Sequence, residues 1–183
     1  MKFERLAIAD VILITPKRHG DARGFFSETF RADLYHSEGV AGPFVQDNVA
    51  YSEDGLVLRG LHYQIAPSAQ AKLVTCTRGR IYDVAVDLRK RSPTFGQHVA
   101  KELSAETGQQ LYIPVGFAHG YLTLTPGSEV RYKVSAYYSP DDERGLAWDD
   151  SEVGISWPLK GASPILSDKD KAAPTLGALK DTF

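Results

Sequence analysis

His62, His119, Lys72 and Tyr132 are the side chains here whose types suit proton transfer to and from carbon. A histidine titrates near neutral pH, but it takes a proton from carbon only where that carbon is acidified, most simply by an adjacent ketone. The enolate oxygen so formed needs a cation or a hydrogen-bond donor, which Lys72 can supply. An acid that returns the proton on the opposite side inverts the carbon, and Tyr132 is such an acid. Plainer readings stand beside these. A lone inward histidine such as His119 is more often structural, and strand tyrosines commonly pack in a core with their hydroxyls satisfied.

The elements that must carry these residues read overwhelmingly as strand. Segments 11–14, 24–30, 55–61, 72–77, 80–88, 97–103, 110–113, 120–124 and 129–138 are rich in β-branched and aromatic residues, with turn signals such as Arg78-Gly79 and Pro126-Gly127 between them. In 81–89, Tyr82, Val84, Val86 and Leu88 alternate with Ile81, Asp83, Ala85, Asp87 and Arg89, which predicts one core face and one more polar face. In 129–138 the same period puts Tyr132, Val134, Ala136 and Tyr138 together. Helix is confined to 32–38 and roughly 168–173, and the tail beyond Pro174 reads as weakly ordered.

The chain has 183 residues, of which 43% are apolar and 24% charged, which fits one all-β domain over 1–183 with a sizeable core. Its formal charge of −2 offers no global field for nucleic acid or an anionic membrane, so an anionic ligand needs a local arginine cluster. Cys76 is the single cysteine, so no intrachain disulfide or CxxC metal site can form, and a reducing cytoplasm is the natural setting. No signal peptide is read at the start, and no apolar run approaches the ~20 residues that span a bilayer.

Gly108-x5-Pro114-x-Gly116-x2-His119 resembles the second motif of the cupins, small jelly-roll β-barrels, with Thr123 where Asn is usual. The first cupin motif is altered. Metal-binding cupins use His-x-His followed by a Glu separated by six residues from a turn glycine. Here the sequence reads His62-Tyr63-Gln64, and Lys72 stands ahead of Gly79 with six residues between them. An ammonium in place of a carboxylate makes a poor divalent-metal site, so the barrel is expected to be metal-free.

Longer motifs narrow the resemblance. Asp21-x-Arg23-Gly24-x-Phe26-x-Glu28-x-Phe30, Gln46-Asp47-Asn48, Leu58-Arg59-Gly60-Leu61-His62-Tyr63-Gln64, Asp87-Leu88-Arg89-x2-Ser92-Pro93, Ile113-Pro114-x-Gly116-Phe117-Ala118-His119-Gly120 and Leu166-Ser167-x-Lys169-Asp170 together resemble the dTDP-4-dehydrorhamnose 3,5-epimerase family. The match runs in order over about 1–175. It implies a cytoplasmic homodimeric jelly roll that uses no cofactor and inverts C3 and C5 of a dTDP-linked 4-keto-6-deoxysugar. Carried over by position, it makes His62 the base, Asp170 its orienting carboxylate, Tyr132 the acid and Lys72 the enolate partner. Arg23 and Arg59 would grip the diphosphate. Glu28, Gln46 and Asn48 would meet the nucleotide end, and Phe26 and Tyr138 would offer flat faces to thymine or sugar. His119, Glu143 and Lys169 complete the implied binding set. N-terminal strands cross between subunits in such dimers, so Arg23 and Glu28 are expected to serve a neighbouring pocket.

The residues alone leave competing readings. Arg23 and Arg59 in isolation read as solvated surface arginines, and Glu28 as an edge-strand charge. Asp83 competes with Asp170 as partner to a histidine. Arg59 and His62, three apart, would point to opposite faces of an unbroken strand, so a bulge at Gly60 is expected to re-aim one of them. A metal-dependent cupin enzyme, a non-catalytic sugar-nucleotide binder and a relative inverting only C3 or only C5 are the rival functions.

Overall fold

Alternating β-branched and aromatic residues, interrupted by glycine and proline turns, drive most of the chain into strand. The computed structural model covers residues 1–183. In chain order the strands are β1 (Lys2–Arg5), β2 (Ile12–Thr15), β3 (Arg18–Asp21), β4 (Gly24–Ser27), β5 (Gln46–Ser52), β6 (Leu58–Gln64), β7 (Lys72–Arg78), β8 (Arg80–Asp87), β9 (His98–Ser104), β10 (Gln110–Ile113), β11 (Phe117–Thr123), β12 (Ser128–Val134) and β13 (Glu143–Gly145). Two short helices, α1 (Ala32–Ser37) and α2 (Asp168–Lys171), lie outside them. No helix is long and apolar enough to cross a membrane.

Two antiparallel sheets form the jelly roll, one ordered β1-β2-β10-β7-β12-β5 and the other β13-β6-β11-β8-β9. Strands β3 and β4 stand apart as a hairpin. Leu13, Val74, Ile81, Ala85, Leu111 and Val130 belong to the buried cluster between the sheets. A second cluster, with Val84, Val86 and Leu88, covers the outer face of the five-stranded sheet. A third packs Tyr35 of α1 on Ile12, Ile14 and Leu73 of the six-stranded sheet.

The sequence expectation for β8 is corrected here. Asp83 and Asp87 are fully buried, on the same side as Ile81 and Ala85. Both faces of the strand are therefore core. The carboxylates tolerate this because each is hydrogen-bonded: Asp83 to His119, and Asp87 to Arg89, Ser92 and Thr94. The tail is also corrected. Past Pro174 it forms a 3₁₀ turn at Leu176–Ala178, and the Phe183 amide and carbonyl bond Leu88 and Lys90. It is held because the apolar outer face of β8 needs cover. Finally, β12 ends at Val134, so Tyr138 sits in the following loop and not on the strand face with Tyr132.

Candidate active site

His62 on β6 and His119 on β11 are directly opposite in register. The pairing then slips: Arg59 faces Tyr121, so three steps along β6 match two along β11. This is the expected bulge, and Gly60 makes it possible. Its φ is +114°, and a Cβ there would meet the Gly120 Cα and the His119 carbonyl oxygen at 2.6 Å. The slip lets Arg59 and His62 line one cavity, which the unbroken period of two would forbid.

That cavity, of about 460 Å³, also receives Lys72 from β7, His119 from β11, Tyr132 from β12 and Asp170 from α2. His62 and Tyr132 thus reach it from different sheets. A smaller lobe of about 240 Å³ shares His62, Lys72 and Tyr132 and adds Gln46, Asn48, Tyr138 and Glu143. Its polar groups are linked: the Gln46 amide donates to Asn48, and the Tyr138 hydroxyl to Glu143, at 2.8 Å each. Glu143 also pairs with Lys169 at 2.5 Å.

The competition between two aspartates resolves into two separate pairs. His62 Nε2 lies 2.6 Å from Asp170 Oδ1, and His119 Nε2 lies 2.7 Å from Asp83 Oδ1. Burial works against the Asp170 anion, but the His62 ring outweighs it, with help from the Ser167 hydroxyl and the Gly60 amide, and holds the carboxyl below its usual range. For His119 burial wins and favours the neutral ring, although Asp83 pulls the other way.

Lys72 is almost wholly buried, and desolvation pulls its ammonium down to about 8 against the opposing pull of Glu143 and Asp83. Its Nζ donates to the His62 carbonyl at 3.2 Å. Burial also raises the Tyr132 phenol, partly countered by Arg59. Glu143 stays below the usual carboxyl range because Lys169 and Tyr138 outweigh its burial.

Three anticipated residues lie apart from this cavity within the chain. Arg23, Phe26 and Glu28 sit on or just beyond the β3–β4 hairpin, exposed, with Arg23 paired only to Asp21. Tyr121 was not anticipated. It lines the cavity with a buried hydroxyl that has no partner, as has Asp83 Oδ2. Its position two residues beyond His119 on one strand is the signal that places both on one face.

The donor set does not suit a metal. Both histidines already face carboxylates, Lys72 stands where a third ligand is needed, and no three His, Cys, Asp or Glu side chains converge.

Known proteins share this arrangement of strands. A profile described as dTDP-4-dehydrorhamnose 3,5-epimerase matches residues 5–178. The protein of that name from Sinorhizobium fredii is 49% identical over 183 residues, covering 100% of this chain and 93% of that one. Its Pseudomonas aeruginosa counterpart is 51% identical over 172 residues, or 93% of each chain. Among solved structures, the dTDP-6-deoxy-D-glucose-3,5-epimerase of Legionella pneumophila in complex with dTDP-4-keto-L-rhamnose superposes with a TM-score of 0.92. It is 44% identical, covering 98% of this chain and 94% of that one. Likeness of this extent, over nearly the whole of each chain, means that the protein belongs to the dTDP-4-dehydrorhamnose 3,5-epimerase family.

Proposed function

We propose that the protein is a dTDP-4-dehydrorhamnose 3,5-epimerase that converts dTDP-4-dehydro-6-deoxy-D-glucose to dTDP-4-dehydro-L-rhamnose by proton transfer alone. The observation that carries this reading is the placement of His62, backed by buried Asp170, and Tyr132 on different sheets around one cavity, with Lys72 in its wall. A base and an acid on opposite sides of a carbon are what inversion requires.

Because Nε2 faces Asp170, Nδ1 is the nitrogen left to take the proton from C3 or C5. Asp170 orients the ring and stabilises the imidazolium. The electron pair released moves to O4 of the ketone, where the Lys72 ammonium stabilises the enolate. Tyr132 then delivers its phenolic proton to the opposite face. Each inversion leaves His62 with one proton more and Tyr132 with one fewer, so both exchange with solvent before the second carbon reacts.

Arg59 binds the diphosphate. Gln46, Asn48, Tyr138, Glu143, Lys169 and His119 hold the nucleotide and sugar. Arg23, Phe26 and Glu28, which project from their own barrel, complete the nucleotide site of a second copy in a homodimer. The protein acts as a single domain in the cytoplasm without cofactor.

Incubation with substrate in D₂O followed by NMR of the product tests this. Deuterium at both C3 and C5, with both centres inverted, is the expected result. Label at one carbon identifies a mono-epimerase, and label at neither overturns the proposal.

A further inference from the structure

The one-turn helix α2 is too short to define its own position. It is placed by two contacts instead. First, Ile165 forms a parallel bridge with Val57, with the Leu58 amide donating to the Ile165 carbonyl at 2.9 Å and the Ile165 amide to Leu56 at 2.8 Å. This stretch is anchored in turn to β11, because the Val57 amide donates to the buried Thr123 hydroxyl at 2.9 Å. Second, two residues after Ile165, the Ser167 Oγ accepts the Asp170 amide at 3.2 Å. Ser167 is thus the link between a strand-anchored backbone and the aspartate that faces His62.

We propose that Ser167 is a positioning residue: its hydroxyl fixes the turn that carries Asp170, and so keeps that carboxylate aligned on the His62 ring. The reasoning rests on the reading of His62 as base, and it assigns Ser167 a task that the proton transfers themselves do not. Ser167 also lines the cavity, which offers a direct contact with substrate as the competing explanation. The ionised state of Asp170 agrees with the positioning role, since the Ser167 hydroxyl is among the groups that favour it.

The two explanations separate in Ser167→Ala and Ser167→Thr. Losing an N-capping hydroxyl typically weakens a helix start by ~1 kcal/mol, so Ser167→Ala is expected to slow deuterium exchange about three- to tenfold with KM within about twofold. The Asp170 carboxyl, followed by ¹³C NMR in the free protein, should titrate at higher pH, and the acid limb of the exchange rate should move the same way. Ser167→Thr keeps the hydroxyl and should restore both. If Ser167→Ala does not fold, Ser167→Gly carries the same comparison, because glycine tolerates the capping backbone without the hydroxyl.

An unchanged Asp170 titration in a folded variant, or a raised KM with unchanged kcat, overturns the proposal. Because the NMR titration needs no substrate, a protein that fails to exchange deuterium at all while Asp170 still responds to Ser167→Ala would sink the epimerase reading and leave the positioning role standing.

Discussion

His62 and His119 are register partners on adjacent strands, yet each gives its Nε2 to a different aspartate, at 2.6 and 2.7 Å. The difference lies in burial. The His62 side chain is 28% exposed and meets the cavity, whereas that of His119 is 7% exposed and pairs with an aspartate that has no exposure at all. Two chemically similar pairs therefore have unequal access to a ligand.

From this inequality, Asp170→Asn should lower the exchange rate by about 10²-fold or more, because the imidazolium formed on His62 loses its counter-charge. Asp83→Asn should cost less than about tenfold in kcat, within the range of a single lost hydrogen bond to a binding residue. Steady-state kinetics of both variants, with circular dichroism to confirm folding, makes the comparison. Equal losses would contradict the assignment of the base.

Tyr132→Phe keeps the ring packed in the barrel and removes only the proton. Deprotonation by His62 can survive, so solvent deuterium should still enter the substrate while inverted product falls by about 10²-fold. Parallel loss of wash-in and inversion would show that Tyr132 does not act as the acid.

On the proposed mechanism Lys72 sets the alkaline edge. Burial brings its ammonium down to about 8, so the charge that the proposed mechanism places on the enolate is present below that pH and lost above it. The rate should decline as pH rises through about 8. In Lys72→Met the limb should vanish, along with about 10²–10³-fold in kcat. A pH profile of kcat for the wild-type enzyme and this variant checks both.

Gly60→Ala places a methyl 2.6 Å from backbone atoms of His119 and Gly120, in a conformation of φ +114° that L side chains rarely adopt. Backbone cannot yield as a side-chain tip can, so a loss of about 2–4 kcal/mol in stability is expected. Urea denaturation reads it directly.

Asp87 governs acid stability. Burial opposes its charge, but bonds from Arg89, Ser92 and Thr94 outweigh that and hold the carboxyl at about 2, against 3.8 for the ordinary group. With the folded value depressed, the contribution is complete above about pH 4 and disappears as pH falls towards about 2, amounting to roughly 2 kcal/mol. Asp87→Asn should be less stable than wild type at neutral pH, and the difference should shrink by pH 2 to 3, as followed by urea midpoints.

Much of this was legible in the residues. The period of two and the turn glycines mark strands such as 110–113 and 72–77, and the position of Lys72 ahead of Gly79 in itself argues against a metal. Other features were hidden because they depend on what covers a face. Asp83 and Asp87 look like a solvent side until their partners are known, since hydrogen bonds and not composition make a carboxylate tolerable inside. The tail reads as loose because its order derives from β8 beneath it. Strands β1, β3, β5 and β13 escaped notice because short or polar edge strands carry little alternation, as in Gln46–Ser52.

The stretch from Leu146 to Phe183 delivers Asp170 and also roofs Val84, Val86 and Leu88. A cut that released this stretch would remove the carboxylate facing His62 and uncover the apolar outer face of β8 in the same event.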